Sequence, residues 1–250
     1  MAKKAIVISG GNGNVGSYFA DQLAKKGENL VLILHESDHR AKPLLQIHPH
    51  QIYLVYSDLA LYDHLHKSLT TLFREKEIIP KALIHTATLR SSDFHPLADS
   101  PVDMWHRVVE VNLKGTFNIL KILIPYFREQ HYGKIVLFGS NVTRIGLPRG
   151  SAYAAAKAGI ANLGRSLAVE EGGNNILINT ISPGPIKIDD RNFTESYRLF
   201  RQQYYQENLK QIPLKRYATF ADIFGLCRFL ISEDNAYITG EEFFITGGKI

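Results

Sequence analysis

The sequence predicts a single α/β domain built on a doubly wound parallel sheet of about seven strands, with helices on both faces. Three observations lead there. Strand-like and helix-like segments alternate along the whole chain. Several strand segments are continuous apolar runs, the pattern of strands covered on both faces. A glycine-rich stretch, Ser9-Gly10-Gly11-Asn12-Gly13-Asn14-Val15-Gly16, stands between the first strand and the first helix. Open sheets of this Rossmann type bind a dinucleotide at that junction.

The elements follow in order. Residues 5–8 (Ala-Ile-Val-Ile) form the first strand, and the glycine turn delivers the chain into a helix over 15–26. The apolar runs at 30–34 and 52–55 supply the second and third strands, and a helix is expected over 62–76. A fourth strand at 82–84 precedes a long helix over 101–130, which from Val108 to Phe127 is apolar on most sides. Such a helix needs burial on more than one face, which a second copy of the chain would supply, with burial within the chain alone as the alternative. Strand 134–138, helix 152–171, strand 177–181, helix 220–231 and strand 242–245 complete the pattern. Neither a repeat nor a linker interrupts it, so residues 1–250 read as one domain.

Composition narrows the function. The chain has 250 residues, 45% hydrophobic and 21% charged, ordinary values for a globular protein. Such a length can bury roughly three quarters of its unfolded surface in one core. The 29 basic residues are interspersed with 24 acidic ones, without a dense basic run, which argues against nucleic acid. The net charge of +5 suits an anionic cofactor. The lone Cys227 excludes an internal disulfide and a cysteine-based zinc site, and its apolar surroundings make it a packing thiol. The ten histidines offer no metal site: His48 and His50 flank Pro49, and His64 and His66 diverge on a helix. With no signal-like start and no apolar run of about 20 residues, a cytoplasmic protein without a membrane partner is expected.

The chemistry concentrates in three places. The glycine stretch permits a tight turn and close approach of backbone to a pyrophosphate at a helix N-terminus. Tyr153 and Lys157, at i and i+4, share one helix face, so the ammonium can stabilise a phenolate and draw its proton affinity toward neutral pH. Such a phenol can protonate a carbonyl or deprotonate an alcohol, the acid/base half of hydride transfer. Asn112, a polar amide within an apolar helix, needs a partner.

On these motifs the chain resembles the short-chain dehydrogenase/reductase family, in its single-domain branch, over nearly its whole length. Ser140, Tyr153 and Lys157 match the family's catalytic serine, tyrosine and lysine, and Asn112 in Val111-Asn112-Leu113-Lys114-Gly115 matches its asparagine. The glycine motif keeps Ser9, Gly10 and Gly16, but Asn14 replaces the middle glycine, and Gly10, Gly13 and Gly16 follow the spacing of the longer-chain branch. An asparagine tolerates positive φ, so the turn is expected to survive. Pro183-Gly184 resembles the turn facing the nicotinamide, while Ile238-Thr239-Gly240 and Thr246-Gly247-Gly248 resemble the C-terminal signature. The resemblance implies that Tyr153 exchanges the proton with substrate, Lys157 lowers its pKa and holds the nicotinamide ribose, Ser140 orients the substrate oxygen, and Asn112 anchors a proton-relaying water. It also implies a cofactor site formed by Gly10, Asn12, Gly13, Asn14, Val15, Gly16, Asp58, Leu59, Ala87, Tyr153, Lys157, Pro183, Gly184 and Ile186.

Three departures stand out. The family's Asn-Asn-Ala-Gly stretch is His85-Thr86-Ala87-Thr88, the threonine that grips the carboxamide is Ile188, and the acid of NAD-preferring members falls at Leu34. Leu34 cannot hold a ribose 2′-OH, and His35, His39 and Arg40 lie just beyond. The expectation is therefore NADP(H), with His35 and Arg40 near the 2′-phosphate; NAD(H), held by Glu36, is the alternative.

Residues 187–217 read as a substrate lid, with Phe193, Tyr197, Phe200 and Tyr204 spaced as a stripe on one helical face and Phe193 and Tyr197 joining Ser140 at the substrate; an aromatic helix packed on its own core or on a neighbouring subunit is the alternative. Carrier-protein reductases of the family resemble the chain throughout, but an arginine of their docking face is Asn174 here, while Arg128 is retained. The expected activity is reduction of a ketone or 3-oxoacyl-type carbonyl by a homodimer or homotetramer. An NAD-dependent alcohol dehydrogenase and a dinucleotide sensor without turnover are the alternatives.

Overall fold

A computed structural model describes residues 2–90, 95–188 and 195–249, without the side chains of 196, 197, 200, 201 and 204. Seven strands, β1 (Lys3–Ser9), β2 (Asn29–Leu34), β3 (Ile52–Tyr56), β4 (Ile78–His85), β5 (Gly133–Phe138), β6 (Ile176–Pro183) and β7 (Glu242–Ile245), form one sheet in the order β3-β2-β1-β4-β5-β6-β7. Every pair is parallel. Alternate residues of one strand serve two cores. Ala5 and Val7 of β1 pack with Leu65, Leu69 and Phe73 of α3 (Tyr62–Lys76), with α5 (Gly115–Gln130) and with α7 (Ser151–Glu171). Ile6 and Ile8 pack with Phe19 and Leu23 of α1 (Asn14–Ala24) and with Ile223, Phe224 and Cys227 of α9 (Phe220–Leu230). Period-two alternation within a run that is apolar throughout is what two covered faces require.

The element pattern matches the expected one except where local chemistry intervenes. The long helix expected over 101–130 is α4 (Val102–Val109), a π-helical turn (Glu110–Lys114) and α5 in succession. A π turn adds a residue to the helical repeat and re-aims the side chains within it; here it centres on Asn112. Two short helices, α2 (Ala41–Ile47) and α6 (Val142–Ile145), were not legible as periodic segments. The segment expected to form a lid holds a helix, α8 (Glu195–Gln211). Phe193 and the side chain of Tyr197 lie outside the described residues. Cys227 is fully buried, and burial pushes its thiol well up. Among the described residues no helix is long and apolar enough to cross a membrane, and no group of three or more His, Cys, Asp or Glu could hold a metal.

Candidate active site

The strand order reverses at β1, which has β2 on one side and β4 on the other. The loops leaving β1 and β4 therefore part, and a crevice opens at the carboxyl ends of the strands. The glycine turn lines it. Gly10 has φ +70°, and a Cβ there would lie 2.8 Å from the Ala87 backbone; a Cβ at Gly16 would lie 2.3 Å from the Gly10 oxygen. Both positions demand the absence of a side chain. Helix α1 begins at Asn14 with Gly13 as N-cap, no side-chain cap and no acid in its first turn. Its first amides are thus left for an anion. The cradle fits a dinucleotide diphosphate. Asn14 is not among the residues with positive φ, so the tolerance expected of it is not used: it opens α1 in ordinary helical geometry. Val15 packs half-buried against the α1 core.

At the end of β2, Leu34 is buried and cannot reach a ribose. Beside it, Asn12 organises the loop that follows β2. Its Oδ1 accepts from the backbone N of Arg40 (2.7 Å) and of Ala41 (3.2 Å), and its Nδ2 donates to Ser37 Oγ (3.2 Å). Arg40 donates to His39 Nε2 (2.8 Å), whose Nδ1 meets Ser37 Oγ (2.7 Å). Asn12, Ser37, His39 and Arg40 thus form one polar cluster. His35 does not join it; its Nε2 lies 3.8 Å from Asp58 Oδ2 and 3.9 Å from Glu36 Oε1. Asp58 accepts from Arg107 (2.6 Å) and from the Ala60 amide (2.9 Å). Burial alone would raise the Asp58 carboxyl, but these two hydrogen bonds and the Arg107 charge hold it below the usual range. Leu59 is buried under α5, where its carbonyl accepts from Asn118 (2.8 Å).

The groups expected to carry the acid–base chemistry assemble on α7 and on the loops after β4 and β5. Lys157 is buried, and its Nζ donates to the Phe138 carbonyl (2.7 Å) while lying 5.6 Å from the Tyr153 ring centre. Burial lowers the Lys157 ammonium; Tyr153 opposes this and Arg90 reinforces it. For Tyr153, burial alone would raise the phenol. The charges of Lys157 and Arg90, and hydrogen bonds with Ser140 and Arg90, outweigh that and leave it below its usual range. Ser140 is nearly buried at the end of β5.

Asn112 is buried within the π turn, and its side chain has the partner that a polar amide there needs. Its Oδ1 accepts from the Leu89 N (2.7 Å) and its Nδ2 donates to the Leu89 O (2.7 Å), so both ends of the amide clamp the segment after β4. Its backbone carbonyl accepts from Thr116 Oγ1 (2.5 Å). With the Thr116 proton so engaged, His85 Nε2, 2.8 Å away, is the donor to Oγ1, and its Nδ1 accepts from Ser9 Oγ (2.6 Å). A directed chain therefore runs Ser9 to His85 to Thr116 to Asn112. Burial, with Lys157 adding repulsion, pushes the His85 imidazole down to about 3, so it stays neutral.

Pro183 ends β6, Gly184 donates to the Ile245 carbonyl (2.9 Å), and Ile186 O accepts from Tyr205 of α8 (3.0 Å). The turn expected at the nicotinamide is thereby tied to both β7 and α8. On the face expected to receive a carrier, Arg128 Nε donates to Glu171 (2.8 Å), a carboxylate that also accepts from Asn174 (3.0 Å). Sequence reasoning missed Ser37, Arg90 and the Ser9–His85–Thr116 chain, because no periodicity or motif marks a residue that acts through a loop.

Known proteins align over the same span. The family model described as Enoyl-(Acyl carrier protein) reductase matches residues 11–249. The 3-oxoacyl-[acyl-carrier-protein] reductase FabG of Buchnera aphidicola is 29% identical, covering 99% of this chain and 98% of its own. The 3-oxoacyl-[acyl-carrier-protein] reductase MabA of Mycobacterium tuberculosis is 27% identical, covering 99% and 93%. Among solved structures, levodione reductase superposes with a TM-score of 0.86 at 26% identity, covering 99% of this chain and 98% of its own. NAD+-bound xylitol dehydrogenase superposes with 0.87 at 25%, covering 99% of both.

Proposed function

The chain belongs to the short-chain dehydrogenase/reductase family, as an NAD(P)-dependent oxidoreductase of a carbonyl/alcohol pair, and from that premise we propose that it is an NADPH-dependent reductase of a ketone or 3-oxoacyl-type carbonyl. The observation that carries the acid–base reading is the convergence of Lys157 and Ser140 on the Tyr153 phenol. A bound nicotinamide supplies the hydride. Tyr153 gives its proton to the substrate oxygen, and Ser140 donates a hydrogen bond to the same oxygen, fixing the carbonyl for attack. Lys157, held by the Phe138 carbonyl, keeps its charge beside the phenolate that results. Gly10, Gly13, Gly16 and the first turn of α1 would hold the diphosphate, with Ala87 and the Pro183-Gly184-Pro185-Ile186 turn closing the nicotinamide end.

NADP(H) rather than NAD(H) is supported at the end of β2. Leu34 stands where a ribose-binding acid would repel a phosphate, and Arg40 and Ser37 lie together on Asn12. The nearby acid Asp38 is engaged by the Tyr56 hydroxyl (2.7 Å). Arg40 and Ser37 together suit a 2′-phosphate. Substrates not borne on a carrier are favoured by Arg128, whose guanidinium is paired with Glu171 instead of standing ready for an acidic partner. The family's habit of assembling as dimers or tetramers, and the exposed apolar Phe117 and Val102 on the α4–α5 limb, support an oligomer. Titration of the purified protein with NADPH and NADH, read by nicotinamide fluorescence, tests the cofactor reading: NADPH binds more tightly, and tighter NADH binding overturns it.

A further inference from the structure

Lys157 is one cation at the Tyr153 ring; the structure holds a second. The guanidinium carbon of Arg90 lies 6.0 Å from the ring centre, against 5.6 Å for Lys157 Nζ. Arg90 is on the segment after β4, immediately beyond Leu89, whose backbone N and O are both gripped by the Asn112 side chain. Asn112 is itself fixed by the π turn and by the chain from His85 through Thr116. The backbone carrying Arg90 is therefore held from the long helix, although the side chain is exposed. An exposed arginine on an unanchored loop would have little hold on the half-buried phenol; this anchoring supplies it.

We propose that Arg90 is a further catalytic residue, a second cationic hydrogen-bond donor to the Tyr153 oxygen that shares with Lys157 the task of holding the phenolate form. This rests on Tyr153 being the acid–base group. The groups facing Tyr153 are Lys157 on its own helix, Ser140 after β5 and Arg90 after β4. Only Lys157 and Arg90 carry charge, and His85, the other titratable neighbour of Lys157, is neutral. The two cations differ in kind. Lys157 is buried and is also bonded to a carbonyl, whereas Arg90 is always charged and can present two N–H groups to an oxygen. Protonation of the substrate returns Tyr153 as a phenolate, and the stronger its support, the better the tyrosine gives up its proton. In alcohol oxidation the same support makes the phenolate base available at lower pH.

The test needs neither substrate nor nucleotide. Tyrosinate absorbance is recorded against pH for the wild-type protein and for Tyr153→Phe, and the difference isolates Tyr153. The same pair is measured in an Arg90→Gln background and in an Arg90→Lys background. An opposite charge at this range moves such a group by about one unit or more. The Tyr153 midpoint is expected to rise by that amount in Arg90→Gln, and by less in Arg90→Lys. Arg90 is an exposed loop residue, so the folded state should survive, and an unchanged far-ultraviolet circular dichroism spectrum confirms it. An unmoved midpoint in folded Arg90→Gln overturns the proposal while leaving Tyr153 as the acid. A Tyr153 midpoint already at the ordinary value in the wild type would instead undermine the acid–base reading on which it rests.

Discussion

Replacing His85 by asparagine should remove a pH dependence from folding stability. The imidazole is fully enclosed, with Ser9 and Thr116 as its partners, and its affinity for a proton is depressed from 6.5 to about 3. The folded state therefore keeps it neutral while the unfolded chain protonates it below 6.5. Its contribution to stability is fully present above pH 6.5 and is lost as pH falls toward 3. The limiting loss is about 5 kcal/mol, and between pH 7 and pH 5 the loss is about 2 kcal/mol. In His85→Asn this component vanishes. The variant also pays a constant penalty for imperfectly paired Ser9 and Thr116 hydroxyls, roughly 1–3 kcal/mol, which is the same at both pH values. Urea unfolding at fixed protein concentration at pH 7 and pH 5 measures both quantities. The wild type should lose about 2 kcal/mol more than the variant between the two. Equal losses would refute the buried neutral imidazole and the directed chain drawn through it.

Two further outcomes follow from the cofactor crevice. Arg40→Ala should weaken NADPH binding roughly ten- to hundredfold, the value of one charge-assisted hydrogen bond, while leaving NADH binding nearly unchanged in the same fluorescence titration. Gly16→Ala would drive a methyl to 2.3 Å from the Gly10 carbonyl oxygen, so both nucleotides should lose binding and the turn should distort. Retention of wild-type nucleotide affinity in Gly16→Ala would mean that the turn is not the diphosphate cradle.

The fold was legible in the sequence because burial on two faces leaves a long apolar signature in each strand, and the 5–8 and 134–138 runs fall inside β1 and β5. Tyr153 and Lys157 were legible because helical spacing alone places them on one face. What escaped the sequence is decided by loops and by contacts distant in the chain. Asn112 reads as a polar residue in need of a partner, but that the partner is the Leu89 backbone requires the return of the chain after β4. His85 reads as a departure from a motif, and its meaning emerges only when Ser9, 76 positions away, and Thr116 close on it. The sequence places His35 and Arg40 near the same loop, but that Arg40 joins Asn12 and His39 while His35 lies between Glu36 and Asp58 is set by the side-chain geometry of that loop. The break of the 101–130 helix into α4, a π turn and α5 has no counterpart in apolar spacing, since the π turn adds a residue without changing the residue types.

Consumption of NADPH with a panel of ketones and 3-oxoacyl compounds, compared between the wild-type protein and Tyr153→Phe, tests the central claim most directly. Turnover of at least one carbonyl that falls by on the order of 10² to 10⁴ in Tyr153→Phe, with nucleotide binding kept, is the predicted result. Turnover that survives intact in Tyr153→Phe would contradict the account.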